Sequence, residues 1–325
     1  MKREHIIAIL STLALLTLFV GIAELAGHRE FIFPPAAAVA LGVLLPSDIA
    51  WNCDGKRVVI LTTLSALAGW GIVRVCYAEI ALSLAFAFLI GELILLFSKT
   101  AFTPLLSVAA LPVLLGLDGF LYPVAAFVTS ALTVLLRIIL ERTGIKESGS
   151  RTPMEKPKVW DAYDLLVRLT AVTLLGFLIQ KTGRLYLAAP PLLASFAEGR
   201  RYRSEYRKTP VRTVLSFFSC ALIGVLFRAL LSGLLPLPLF VAAAPAVFGM
   251  TAFLLLTSPI LPSAGAMTLL AFMVSEEELL SYPFQALLGG FLLFLWNRLF
   301  FKETPDRLEN ETANPFRRKK EEKSG

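Results

Sequence analysis

Charge is what this sequence lacks most. Of its 325 residues 17% are charged, against roughly 25% in soluble globular domains, while 56% are hydrophobic and the mean hydropathy is +0.72. A soluble protein of one or two domains is excluded, because so much apolar sequence exceeds what a core of that size hides. Cysteine and histidine are also scarce. Cys53, Cys76 and Cys220 have no paired spacing, which excludes a secreted disulfide scaffold. With only His5 and His28, a zinc site has too few ligands. His28 stands one helical turn after Glu24, a spacing read as a local interfacial pair rather than a metal site. No His, Cys or paired-carboxylate constellation supports an enzyme, so no catalytic residue, metal or cofactor is expected.

The charge that is present is clustered. Of 55 charged residues, 33 fall in Met1–Glu4, Glu141–Asp161, Glu198–Arg212 and Lys302–Lys323. Twelve apolar segments make up most of the chain between these stretches: Ile6–Ala26, Phe31–Asp48, Val58–Cys76, Ile80–Ser98, Ala101–Leu117, Phe120–Leu140, Leu165–Gln180, Leu185–Phe196, Thr213–Leu235, Leu237–Thr257, Ile260–Val274 and Tyr282–Phe301. Lys2 and Arg3 before the first run give it the look of a signal peptide. It is longer than a signal core, lacks a small-x-small cleavage site and has a mid-chain counterpart, so it is read as a transmembrane helix.

The chain is written twice. ELAGHREFIFPPAA is answered 156 residues later by QKTGRLYLAAPPLL, pairing Glu24 with Gln180, Gly27 with Gly183 and Pro34-Pro35 with Pro190-Pro191. At an offset of 155, RVVILTTLSALAGWG aligns with RTVLSFFSCALIGVL, pairing Arg57 with Arg212 and Gly69 with Gly224. Tyr122-Pro123 is answered by Tyr282-Pro283. Within the first half, FPPAAAVALGVLLPSD also resembles FTPLLSVAALPVLLGLD. The expected fold class is therefore all-α and polytopic, with two parallel six-segment repeats, each readable as an inverted three-plus-three unit. The first membrane repeat is 1–145, a cytoplasmic linker is 146–158, the second repeat is 159–302 and a charged cytoplasmic tail is 303–325.

If all twelve segments cross from a cytoplasmic N-terminus, the 31 Lys and Arg divide into 23 inside, 3 outside (Arg29, Lys181, Arg184) and 5 within segments. That split obeys the positive-inside rule and makes the expected location the cell (cytoplasmic) membrane, both termini cytoplasmic. A competing arrangement makes the second, fifth, eighth and eleventh segments re-entrant. It strands Arg200, Arg201, Arg203, Arg207, Lys208 and Arg212 outside and ranks second.

Those four segments share a proline. A twelve-residue helix rises about 18 Å against a hydrocarbon core of about 30 Å, so the short eighth segment needs an extended approach before a helix that opens at proline. The sequence predicts broken helices with N-termini at Pro34-Pro35, Pro104, Pro190-Pro191 and Pro262. Interrupted segments at matching places in two repeats point to a transporter's binding site, and helix N-termini offer unpaired N–H groups and a positive dipole end to an anion. Small residues follow each start, among them Ser107, Ser195, Ser263 and Gly265. For any one motif, kinking and close packing are an equal alternative.

Embedded charge is unfavourable, which makes it suspect. Arg74 and Arg228 fall within one residue of each other under the repeat and are substrate-binding candidates, with snorkelling to headgroups as the plainer account. Glu24 and Glu92 are coupling candidates; for Glu92 a structural pairing stands equally open. The stretch EGRRYRSEYRKTPVR interleaves basic and aromatic residues, but next to a membrane segment it is read as an orienting loop that meets anionic lipid, not nucleic acid.

LPSAGAMTLLAFMVSEEELLSYPFQALLGGFLLFLWNRL, APPLLASFAE and FPPAAAVALG resemble the HPP family of integral membrane proteins, the chain being similar to two family units in tandem. The name-giving histidine is absent: Leu261-Pro262-Ser263 stands in its place, followed by a fitting Ala264-Gly265-Ala266. Members of that family have been linked to nitrite transport, so the resemblance implies a small-anion substrate. The expected function is a permease-like transporter for a small anion, with an exporter of aromatic acids or a non-transporting membrane scaffold as alternatives. The oligomeric state is not legible.

Overall fold

The computed structural model describes residues 3–46, 49, 51, 53–75, 79–146, 162–198, 209–257 and 261–300. The linker from residue 147, the basic loop 199–208 and the tail from residue 301 lie outside the described residues, as does Cys76. Among the described residues no strand occurs. The principal helices, in chain order, are α1 Arg3–Ala26, α2 Pro35–Leu44, α3 Gly55–Val75, α4 Ile80–Ser98, α5 Pro104–Leu115, α6 Leu121–Arg142, α7 Ala162–Thr182, α8 Pro190–Glu198, α9 Pro210–Phe227, α10 Leu239–Leu256, α11 Pro262–Leu270 and α12 Tyr282–Phe300. A π-helical stretch, Arg228–Leu234, prolongs α9.

Among the described residues, seven helices are long and apolar enough to cross a membrane: α1, α3, α4, α6, α7, α9 with its π extension, and α10. Their outward faces carry exposed Leu18, Ile22, Phe86, Phe127, Leu222 and Phe248, a lateral surface suited to hydrocarbon rather than water. By these helices the chain is a multi-pass membrane protein. The last segment is also a helix, α12, but it carries Gln285, Asn297 and Arg298 and is not among the seven.

The four short helices lie inside. α2 is buried along its whole length, α5 up to its last residue, α8 up to Glu198 and α11 from Ser263 onward. They form a closed ring, α2 packing on α5 and α11, and α8 packing on the same two. At 9 to 12 residues each, they rise about 14–18 Å, half a hydrocarbon core. The long helices wall the ring, α3 and α4 against α5, α9 and α10 against α11, and α6 against α2.

Each short helix begins at one of the prolines singled out above. Proline's fixed φ suits the first helical position, and its missing donor is not needed there. The far ends are closed by different devices. Buried Arg137 of α6 donates to the carbonyls of Val43 (2.7 Å) and Pro46 (2.9 Å) and pairs with Glu141, while Lys146 donates to Leu44. Cations thus sit on the negative end of the α2 dipole. At α11, Arg228 does the same for the carbonyls of Ala271 and Val274. α5 instead ends on Gly116 at φ +64°, the left-handed turn that glycine adopts without strain.

Candidate functional site

The ring of short helices is where non-helical backbone, helix starts and buried hydroxyls coincide. The approaches are short and irregular: Arg29–Phe31 and Leu185–Ala188 are 3-10 turns before α2 and α8, and Ala101–Thr103 lead into α5. Backbone of this kind is tolerated at membrane depth only where protein buries it or water lines it.

The expectation of unpaired N–H groups is corrected at the starts of α2, α5 and α8. Pro34, Pro35, Pro190 and Pro191 carry no N–H, and the next donors close on carbonyls three residues back. Ala36 donates to Phe33 (2.8 Å), Ala37 to Pro34 (3.0 Å), Leu106 to Thr103 (3.0 Å), Leu192 to Ala189 (2.8 Å) and Ala264 to Leu261 (3.1 Å). What remains there for a ligand is the positive dipole end and side-chain hydroxyl. Ser195 of α8 and Ser263 of α11, 1% and 2% exposed, meet Oγ to Oγ at 2.8 Å. Ser107 of α5 is as deeply buried, and its hydroxyl has no hydrogen-bond partner among the described residues. Gly265 lets α11 close on α2, since a Cβ there would strike Leu41.

Two other candidates stand elsewhere. Arg74 is exposed at the end of α3. Arg228 is buried, but it serves the carbonyl end of α11, the opposite end from Pro262. Glu24 lies at the end of α1, accepting from the N–H groups of Leu239 (2.7 Å) and Phe240 (3.1 Å), and so caps the start of α10. Glu92 of α4 is 2% exposed and pairs at 2.7 Å with the equally buried Arg168 of α7, which also lies 3.3 Å from Asp164.

Sequence reasoning missed the junction that closes one end of the ring. Glu198, the last residue of α8, accepts from Thr103 Oγ1 at the start of α5 (2.5 Å) and from the Trp51 indole (3.4 Å). Trp51 adopts φ +69°, strained for a non-glycine residue. Its ring covers Gly42 of α2, where a Cβ would collide with it, and meets Phe102 edge-on at 5.2 Å. Three short helices are thus tied by one carboxylate and one indole. A carboxylate is unfavourable at its own helix's C-terminus and favourable at the start of α5, which gives Glu198 a reason to reach across.

Outside the spans, burial pushes the Cys53 thiol up to about 12, with the adjacent Asp54 carboxylate adding to it. The thiol is therefore protonated at neutral pH and is a poor nucleophile. Among the described residues no group of three His, Cys, Asp or Glu side chains is placed to hold a metal ion. Comparisons with protein-family models, with curated proteins and with solved structures returned no match.

Proposed function

We propose that this chain is a permease-like carrier or channel for a small anion, built as two HPP-like units of six segments in tandem, with both termini on the cytoplasmic side of the cell membrane. The observation that carries the reading is the closed ring of four buried, proline-opened short helices. The positive dipole ends of α2, α8 and α11 and the Ser107, Ser195 and Ser263 hydroxyls support an anion over a cation, the start of α5 being already met by the Glu198 carboxylate. Matched packing supports the tandem arrangement. α5 packs on α8 as α11 packs on α2, α3 on α5 and α6 as α9 on α11 and α12, and α4 on α7 as α10 on α1. Tyr122 donates to Val108 at 2.6 Å as Tyr282 donates to Met267 at 2.8 Å. Gly69 lies against the Ala109 carbonyl as Gly224 lies against that of Thr268. The basic loop 199–208 faces anionic lipid in this topology.

The test is flux into proteoliposomes, comparing nitrite, nitrate, formate, chloride and aromatic acids. One small anion moves saturably above empty liposomes, and Ser195→Ala with Ser263→Ala lowers its transport by about 10-fold or more, the loss expected for hydrogen bonds to a charged group. Absence of saturable flux for every anion, from protein that elutes as a single folded species, overturns the reading.

A further inference from the structure

Three arginines are buried among the described residues, and two of them have a counter-ion. Arg137 pairs with Glu141, and Arg168 pairs with Glu92 and Asp164. Arg228, 7% exposed, has no carboxylate at ion-pair distance among the described residues. Its Nη1 donates to the carbonyls of Ala271 and Val274. A buried charge is costly unless it is paired, and neutral carbonyls return only part of that cost. Both hydrogens of Nη1 are spent on these carbonyls. What remains is the edge made by Nε–H and Nη2–H, the side-by-side donor pair that matches two oxygens of one acid group, and it makes no hydrogen bond among the described residues.

Three other groups act electrostatically on this guanidinium: Arg29, Glu276 and Tyr186. Arg29 belongs to the turn that leads into α2, and Tyr186 to the turn that leads into α8. Arg228, at the end of α11, therefore stands on the side of the ring where α2 and α8 begin. Arg29 is exposed, and its side chain makes no hydrogen bond or ion pair among the described residues. Glu276 is exposed on the turn Glu276–Leu279 and lies beyond ion-pair reach. Like charges held together repel, so a buried guanidinium with a second one beside it is an arrangement that an anion relieves.

We propose that Arg228 and Arg29 form a binding site for a small planar oxyanion of the carboxylate, nitrite or nitrate kind, held side-on by Nε–H and Nη2–H of Arg228 and by the charge of Arg29. A guanidinium edge fits two oxygens of one planar group and gives a spherical halide no such pair, so the site prefers the oxyanion to chloride. It is distinct from the ring hydroxyls. Binding requires no transport, so the site stands or falls separately from the carrier reading; where that reading holds, this is the place at which an anion waits before the starts of α2 and α8.

The experiment follows the proton NMR line width of formate added to the full chain in a nonionic detergent, with nitrate and chloride as competitors. Formate broadens with the wild-type chain, and nitrate displaces it at about a tenth of the chloride concentration needed. Arg29→Gln weakens formate binding about threefold. Arg228→Lys keeps a charge and a donor for the end of α11 but loses the fork, so nitrate loses its advantage over chloride, a change that capping alone does not produce. Lys181→Gln, exposed at the end of α7 on the same side, changes nothing. The proposal is overturned by a wild-type chain that leaves formate sharp, by an Arg29→Gln variant that binds as wild type does, or by an equal loss with Lys181→Gln, which makes the effect one of surface charge. Loss of the broadening in Ser195→Ala with Ser263→Ala assigns it to the ring and overturns the proposal too. Arg29 is exposed, so its variant folds and decides the question even if Arg228→Lys aggregates.

Discussion

Two of the contacts that join the halves of the chain are built on opposite principles. α4 packs on α7 and α10 packs on α1, and Glu92 and Thr251 are each the thirteenth residue of their helices. In the first contact Glu92 meets Arg168 inside the interface, both 2% exposed. In the second, Thr12 and Thr251 bond carbonyls of their own helices, Ala8 and Val247, and the polar link lies at the rim, where Glu24 caps α10. A buried ion pair adds little net stability once desolvation is counted, but losing one partner is costly. The α4–α7 contact is therefore fixed in register, and the α1–α10 contact is held by packing and an end cap.

The sharpest way to break that contrast is to remove one charge. Arg168→Met leaves the Glu92 carboxylate buried without its guanidinium and destabilises by about 3–5 kcal/mol, read as a fall in the midpoint of thermal aggregation in detergent. Glu92→Leu combined with Arg168→Met recovers part of it, because the apolar pair has nothing to desolvate, while Asp164 still loses the Arg168 guanidinium. If the double variant is no better than the single one, the pair is not an isolated unit. Next in size is backbone approach. Gly176 of α7 lies so close to Ala81 of α4 that a Cβ would meet its Cα at 2.6 Å, whereas one at Gly21 of α1 would meet only the Phe240 side chain at 3.5 Å. Gly176→Ala costs about 1–3 kcal/mol by overpacking, and Gly21→Ala is near neutral in the same assay.

The starts of α2, α5, α8 and α11 were legible in the sequence because a proline acts locally, through its own φ and missing N–H. The partners of buried charges were not. Arg168 is 76 residues from Glu92, and Thr103 is 95 from Glu198, distances at which sequence gives a residue type but no partner. Embedded charge was the signal available for Arg137 and Arg168, each inside an apolar segment. Arg74 and Arg228 show the limit of reasoning by repeat. They align, yet Arg228 is buried because the end of α11 leaves the Ala271 and Val274 carbonyls needing a donor. Arg74 is exposed because Gly116 turns the chain at the end of α5, so that Leu117 N–H returns to Pro112 at 2.9 Å, and Trp70 donates to Asp118 at 2.9 Å.

The smallest effect tests the other side of the comparison. Glu24 accepts from the first two N–H groups of α10, donors that no carbonyl within the helix satisfies. Its charge also sits at the positive end of that dipole. Glu24→Gln keeps an oxygen acceptor and loses the charge, which costs about 0.3–1 kcal/mol; Glu24→Ala loses both and costs about 0.5–2 kcal/mol. Added salt screens only the first component, so the gap between wild type and Glu24→Gln narrows as ionic strength rises, while the gap between Gln and Ala does not. The buried Glu92–Arg168 pair, out of reach of salt, shows no such narrowing when Arg168→Met is measured alongside. A salt-independent Glu24→Gln would mean that the cap holds α1 to α10 by hydrogen bonds alone.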